Sequence, residues 1–257
     1  MGLFPGPWRA SCCGCAEQWY DRAPSAWKEQ QLMRETEKSN AYRTADFFAV
    51  YVRGRVIDIG CGDDPITATA EGFDREQGDA NEILKYRSAE SYDCVYSSHC
   101  LEHMNDPPKA LAQWWLLLRP GGYMVVAVPH EDLYEQGYWP SLFNRDHKAT
   151  FRMGGGTSWS PVSFDIYRLM TSLRGAEIIS AEVQDRGYDH SLRGSGRMHP
   201  KFLRKLGRWL VRTKRTSRFV ERPAGLCLRM LAALGCPIDQ TQGAALAQIQ
   251  IVARKRP

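Results

Sequence analysis

Residues 55–62 read Arg55-Val56-Ile57-Asp58-Ile59-Gly60-Cys61-Gly62. A short β-branched run ending on a Gly-x-Gly turn has the form of a buried parallel strand, whose glycines let the chain turn sharply at its carboxyl end. Working outward, Glu71–Asp74 predicts a second short strand and Tyr92–Ser97 a third. Pro107–Leu118 predicts a helix with prolines in its first turn and Asp106 as its cap, followed by a strand over Gly122–Val128. Ser160-Pro161 predicts the start of a helix reaching about Leu173, and Ala176–Val183 and Ala247–Ala253 alternate as strands. Before residue 55, Ser25 to about Val52 predicts a helical arm behind an irregular tail. Strands alternating with helices imply an α/β fold with a parallel sheet.

The chain has 257 residues, 43% of them apolar, which suits one large domain with insertions. Its longest apolar runs, Trp114–Leu118 and Tyr123–Val128, fall far short of the ~20 residues that cross a bilayer. The N-terminal segment lacks the basic-then-apolar order of a secretory signal, so a cytoplasmic location is expected. The cysteines are scattered and read as free thiols, and Cys12, Cys13 and Cys15 have no second Cys/His pair at zinc-finger spacing. The net charge of +5 is unevenly placed. Residues 193–222 carry eleven Lys/Arg and one acid, Glu221, for a local charge of +10, leaving −5 elsewhere. A field concentrated in this way favours an anionic partner.

The Gly-x-Gly turn with an acid closing the next strand, Asp74, meets the needs of a nucleoside cofactor: bare backbone for close approach and an acceptor for ribose hydroxyls. Pro65 stands where a dinucleotide fingerprint wants its third glycine, which argues against pyrophosphate binding. Taken in order, Val56–Gly62 (VIDIGCG), Asp74, Gly78-Asp79-Ala80, Tyr92–His103 (YDCVYSSHCLEH) and Leu118–Pro129 (LRPGGYMVVAVP) resemble the class I S-adenosylmethionine (SAM)-dependent methyltransferases. The resemblance covers about residues 55–130, with weaker likeness at 160–185 and 245–254.

That resemblance implies a Rossmann-like class I methyltransferase sheet, mostly parallel with an antiparallel C-terminal strand, plus a helical N-terminal arm and a basic helical insert. It implies a tail and arm over 1–40 and a methyltransferase domain over 41–257, with inserts at 130–160 and 193–242. SAM is the implied cofactor. Gly60, Cys61 and Gly62 would lie under its methionine part, and Asp58 would help order that turn or reach the amino group through water; Asp74 would bind the ribose diol, Asp79 the adenine amine with Ala80 alongside, and Ser97 and Ser98 would close the pocket. Only eleven residues separate Gly62 from Asp74, so the usual crossover helix is reduced to a turn and Asp64 is the alternative ribose acid.

Methyl transfer to a hydroxyl needs a base, and histidine titrates near neutrality. His99 after the third strand, His130 after the fourth and His147 within Asn144–Lys148 are the candidates, each with a packing role as its alternative. His99-Cys100-Leu101-Glu102-His103 also spells H-x-x-E-H, a zinc-protease pattern in the wrong context. A subset of quinone-precursor O-methyltransferases holds a divalent ion on E-x-x-E-H here, but His99 replaces the first Glu, and no metal is expected.

The 130–160 segment carries Tyr134, Tyr138, Trp139, Phe143 and Phe151 among charged residues, which suits a sugar-like acceptor or the packing of a long loop. In the insert, Phe202, Leu203, Leu206, Trp209 and Leu210 recur at helical spacing between Lys201, Arg204, Lys205, Arg208 and Arg212. Such a helix suits peripheral contact of 201–222 with an anionic membrane, or packing on the domain with its charged face in solvent. The expected function is O-methylation of a small-molecule or glycan/lipid-linked acceptor, in the cytoplasm or at the membrane face. Behind it stand an RNA methyltransferase docking through the insert, nucleic acid lacking a stacking platform here, and a non-enzymatic interaction module.

Overall fold

The computed structural model describes residues 35–194, 201–214 and 218–257, all within one compact unit, Met33–Pro257. The tail, Cys12, Cys13, Cys15 and the first part of the expected arm lie outside the described residues. In place of one continuous helix, the rest of the arm forms α1 (Glu35–Asn40) and α2 (Ala45–Tyr51), separated by residues 41–44. The break is local chemistry: Thr44 is extended and its side chain accepts the N–H of Phe47, which starts a new helix.

The main sheet contains β1 (Val56–Ile59), β2 (Glu71–Phe73), β3 (Tyr92–Ser98), β4 (Leu118–Pro129), β7 (Ala176–Gln184) and β8 (Gln248–Lys255). Their spatial order is β2-β1-β3-β4-β8-β7. The first four are mutually parallel, and β8 runs antiparallel to both β4 and β7. This is the mostly parallel sheet with an antiparallel C-terminal strand that the family resemblance implies. All four residues of β1 are buried, as a central strand covered on both faces requires.

Registers Ile59↔Ser97 and Ser98↔Ala127 bring the carboxyl ends of β1, β3 and β4 level. The glycine turn and His99 therefore emerge side by side, where open α/β sheets place their ligands. Core residues Ile57, Ile59, Phe73, Val95, Met124, Val126, Ile249 and Ile251 are fully buried, each contributing about 1.5–3 kcal/mol.

Helix α3 (Pro107–Leu116) starts as expected: Asp106 accepts the N–H of Lys109 at 3.1 Å, and Pro107 needs no donor in the first turn. Its buried Trp114 donates to Ala80 O, fixing the α3 face over the cleft-side loop. Two boundaries differ from expectation. Strand β4 begins at Leu118 rather than Gly122, because Leu118 pairs with Tyr92 of β3. The helix after Pro161 is delayed: Ser163–Asp165 pairs with Thr150–Arg152 as a small two-stranded sheet, β6 with β5, and Asp165 caps α4 (Ile166–Ser172).

The 130–160 segment is packed onto the core around a buried acid. Glu131 accepts from the hydroxyls of Thr150, Ser158 and Ser163, so the desolvation of its carboxylate is offset. Tyr138 and Phe151 are buried, and Tyr138 donates to Gly235 O. The insert folds as α5 (Lys201–Lys214) and α6 (Arg218–Ala233) around Leu192, Leu210, Ala224, Leu228, Leu231 and Ile238. Gln136 fastens it to the core, donating to Ile238 O and accepting from the N–H groups of Gly194 and Ile238. Among the described residues no helix is long and apolar enough to cross a membrane.

Candidate active site

A cleft of about 710 Å³ opens at the carboxyl ends of β1, β2 and β3, and its lining includes Gly60, Phe73, Asp74, Asp79, Ala80, Tyr86, His99 and His103. The approach at Gly60 needs a bare backbone: φ is +82° and a Cβ there would stand 2.5 Å from Cys100 Cβ. Asp74 ties the turn to the second strand, since its Oδ2 accepts the N–H of Gly62 at 2.8 Å and its Oδ1 that of Arg75 at 2.7 Å. Asp79 caps the following 3-10 segment, Ala80–Lys85, by accepting from Asn81 N and Nδ2. Those bonds hold its carboxyl below the usual range.

Of the residues the sequence singles out, Gly60, Asp74, Asp79, Ala80 and His99 line this cleft. Asp58, Cys61, Gly62, Ser97, Ser98, His130 and His147 are not in its lining. Asp58 is buried below the loop and accepts the N–H of Ile66 at 2.6 Å. Burial pushes its pKa up to about 7, against the opposing pull of the Ile66 bond and Arg43. Ser97 is fully buried and donates to Ile59 O, which locks β3 to β1.

The three candidate bases have separate fates. His130 accepts the N–H of Asp132 on Nδ1 and so caps the turn Glu131–Glu135; burial holds its pKa below the ordinary histidine value. His99 has φ +54°, a left-handed backbone that a non-glycine residue adopts at a cost. Its N–H to Ala127 O helps hold that geometry and turns the ring toward the cleft. Its Nε2 lies 2.8 Å from Gln248 Oε1, and the Gln248 amide nitrogen is committed to Ser39 Oγ and Gln184 Oε1, so His99 is the donor. His147 is buried, its Nδ1 2.7 Å from Glu135 Oε1 and its ring stacked near Tyr134.

What the sequence reading passed over is the group these imidazoles surround. Glu102 is fully buried, and neither of its carboxylate oxygens has a hydrogen-bond partner of normal geometry. His99 Nδ1, His147 Nε2 and His103 Nε2 stand 3.4, 3.8 and 4.0 Å from its Oε1, which are ion-pair distances. Burial alone would raise the Glu102 carboxyl, but the three imidazoles, His99 foremost, outweigh it and hold it below the usual range. His103 Nδ1 is in turn 3.1 Å from Asp146 O and 3.3 Å from Asp146 Oδ2. The loop reaches this point because the Glu102 carbonyl accepts the N–H groups of Lys148 and Ala149. The H-x-x-E-H spacing was a signal for Glu102 and His103; nothing in the sequence pattern pointed to Glu135 or Asp146 as their neighbours.

A family profile described as "Methyltransferase domain" matches residues 33–165. Trans-aconitate 2-methyltransferase of Deinococcus radiodurans is 32% identical over 102 aligned residues, covering 29% of this chain and 38% of that protein. This chain therefore spans well under half the length of that relative. Among solved structures, a SAM-dependent methyltransferase from Archaeoglobus fulgidus aligns over 91% of this chain and 100% of its own at 15% identity and TM-score 0.45. A putative sarcosine dimethylglycine methyltransferase from Galdieria sulphuraria aligns over 85% and 83% at 14% identity and TM-score 0.44.

Proposed function

The chain belongs to the methyltransferase-domain family, and from that premise we propose that it is a SAM-dependent O-methyltransferase whose acceptor meets the cofactor at the His99–His103 end of the cleft. The observation that carries this reading is one cleft lined by two carboxylates, Asp74 and Asp79, and two imidazoles, His99 and His103.

The residues present fit SAM. Gly60 offers a cradle that a Cβ would close, Asp74 and Asp79 are acceptors for hydroxyl and amine donors, and Phe73 and Tyr86 supply aromatic walls. When bound, SAM supplies an electrophilic methyl group on a sulfonium. The chain's own task is to hold a nucleophile against it and remove a proton. His99 and His103 line the cleft with Glu102 buried behind them, so in this reading the acceptor hydroxyl meets imidazoles backed by a counter-charge. Arg75, also in the cleft lining, pairs with Asp146 at 3.2 Å.

The acceptor in this reading is lipid-linked or glycan-type. Its support is α5–α6, where Trp209, Leu226, Met230 and Leu234 are exposed, and Lys205, Arg208 and Arg229 are exposed alongside. Leu226, Met230 and Leu234 recur four apart, forming an apolar stripe with basic neighbours, a surface suited to a cytoplasmic protein that visits an anionic membrane.

The test is a radiolabelled-methyl assay on glycolipid, nucleic-acid and small-molecule fractions, with calorimetry of SAM binding beside it. Label in the glycolipid fraction is the expected result. Label confined to RNA, with binding that falls steeply with salt, would replace this reading by an RNA methyltransferase. Absence of SAM binding would remove the enzyme reading.

A further inference from the structure

Four side chains behind the cleft have an arrangement that acid–base chemistry alone does not require. Glu102 is buried with both oxygens lacking a hydrogen-bond partner, and an ionised carboxylate left in that state is costly. Two imidazoles turn their Nε2 atoms toward it, His147 at 3.8 Å and His103 at 4.0 Å. Each has its other nitrogen held from outside, His147 Nδ1 by Glu135 Oε1 at 2.7 Å and His103 Nδ1 by Asp146 O at 3.1 Å. That is the pattern of metal-binding histidines: the outer hydrogen bond fixes the tautomer and leaves the inner nitrogen's lone pair facing the ion.

We propose that Glu102, His103 and His147 form a binding site for one divalent transition-metal ion at the wall of the cofactor cleft. Their ligand atoms lie within 4.8 Å of one another. Ligands at ~2.1 Å from a tetrahedral ion are about 3.4 Å apart, so the two imidazoles, at 3.8 and 4.0 Å from Glu102 Oε1, need to close by about half an ångström on the carboxylate, and no pair in the set by more than about 1.4 Å. Two imidazoles with one carboxylate suit Zn²⁺, Fe²⁺ or Mn²⁺ rather than Mg²⁺ or Ca²⁺. The set shares Glu102 and His103 with the E-x-x-E-H segment but takes its third ligand, His147, from the 130–160 segment, while His99 turns its Nε2 to Gln248. His103 lines the cleft, which places the ion beside whatever the cleft holds. The proposal concerns metal binding and stands whether or not the acceptor reading above holds.

The full chain, stripped with chelator, is titrated with Co²⁺, Zn²⁺ and Mn²⁺ singly, without SAM. A Cys12→Ser/Cys13→Ser/Cys15→Ser background removes the clustered thiols as competing ligands. One equivalent is expected to bind, Co²⁺ showing d–d absorption without a thiolate band, and bound metal raising Tm. Affinity is expected to fall by roughly 10-fold in Glu135→Gln and by more in Glu102→Gln and His103→Ala. His103 is 23% exposed, so its alanine variant tests the site even where the Glu102 variant does not fold. Absence of a bound equivalent, or equal affinity and Tm rise in His103→Ala and parent, overturns the proposal in favour of a carboxylate neutralised by imidazolium alone.

Discussion

The carboxylate of Asp74, at the end of β2, accepts the backbone N–H of Gly62, just past the end of β1, at 2.8 Å. One side chain thus fastens the glycine turn and faces the cleft. Asp74→Ala is expected to cost about 1–3 kcal/mol of stability, the loss of charge-assisted bonds to backbone N–H groups. It should also lower SAM affinity in calorimetry, while Asp64→Ala leaves it close to the parent value. The reverse pattern would move the ribose contact to Asp64.

Gly60 and Gly62 both have positive φ, +82° and +57°, but only Gly60 is enclosed, a Cβ there meeting Cys100 at 2.5 Å. Gly62→Ala should therefore lose about 1–2 kcal/mol in urea unfolding, from the left-handed backbone alone. Gly60→Ala should lose about 1–3 kcal/mol more, because Cys100 or the turn must shift. Equal losses would show that the β1–β3 packing is looser than described.

Asp58 links pH to stability. Its carboxyl titrates near 3.8 when unfolded and is pushed up to about 7 when folded, chiefly by burial. Between those values the folded state holds the proton and the unfolded state does not, so stability is full below the lower value and declines as pH rises toward 7. The loss spans up to ~4 kcal/mol. Asp58→Asn should flatten that part of the stability profile from pH 4 to 7, and an unchanged slope would remove Asp58 as its source.

The histidines should separate kinetically. His103→Ala and His99→Ala are expected to lower kcat by roughly 100-fold or more, as loss of acid–base or positioning groups does. Asp146→Ala, which removes the Oδ2 contact but keeps the backbone carbonyl on His103 Nδ1, should cost less. His130→Ala removes a cap and should change stability by about 1 kcal/mol with kcat unaltered. Wild-type rates in both His99 and His103 variants would exclude this end of the cleft from the chemistry.

Leu226→Glu with Met230→Glu places charge on the exposed stripe of α6 without touching the insert's core. Sedimentation with anionic phosphatidylserine vesicles should show at least roughly 10-fold weaker binding, since two apolar contacts are lost and like charges are added. Unchanged binding would leave the stripe without a membrane role.

Local chemistry was enough to read the strands of the main sheet. A buried β-branched run, a glycine turn, a Pro-Pro helix start and Asp106 as its cap are decided within a few residues of one another, and each appears where the sequence places it. Boundaries went astray where a distant partner intervened. Leu118 joins β4 because Tyr92 is beside it, and Ser163–Asp165 forms a strand because Thr150–Arg152 offers its backbone groups.

The candidate site divides along the same line. Gly60, Asp74, Asp79 and Ala80 are legible because one turn and one short crossover set their positions. Ser97 and Ser98 were read into the pocket from their place at a strand end, but pleating and pairing send the Ser97 hydroxyl to Ile59 O instead. The sequence by itself determined the α/β fold and the nucleoside-type cleft, because these follow from hydrophobic period, turn residues and short-range spacing. Only the tertiary structure decided that Glu102, His103, Glu135, Asp146 and His147 converge. They stand on two segments joined through the Glu102 carbonyl, and hydrogen bonds across such a separation leave no period in the chain.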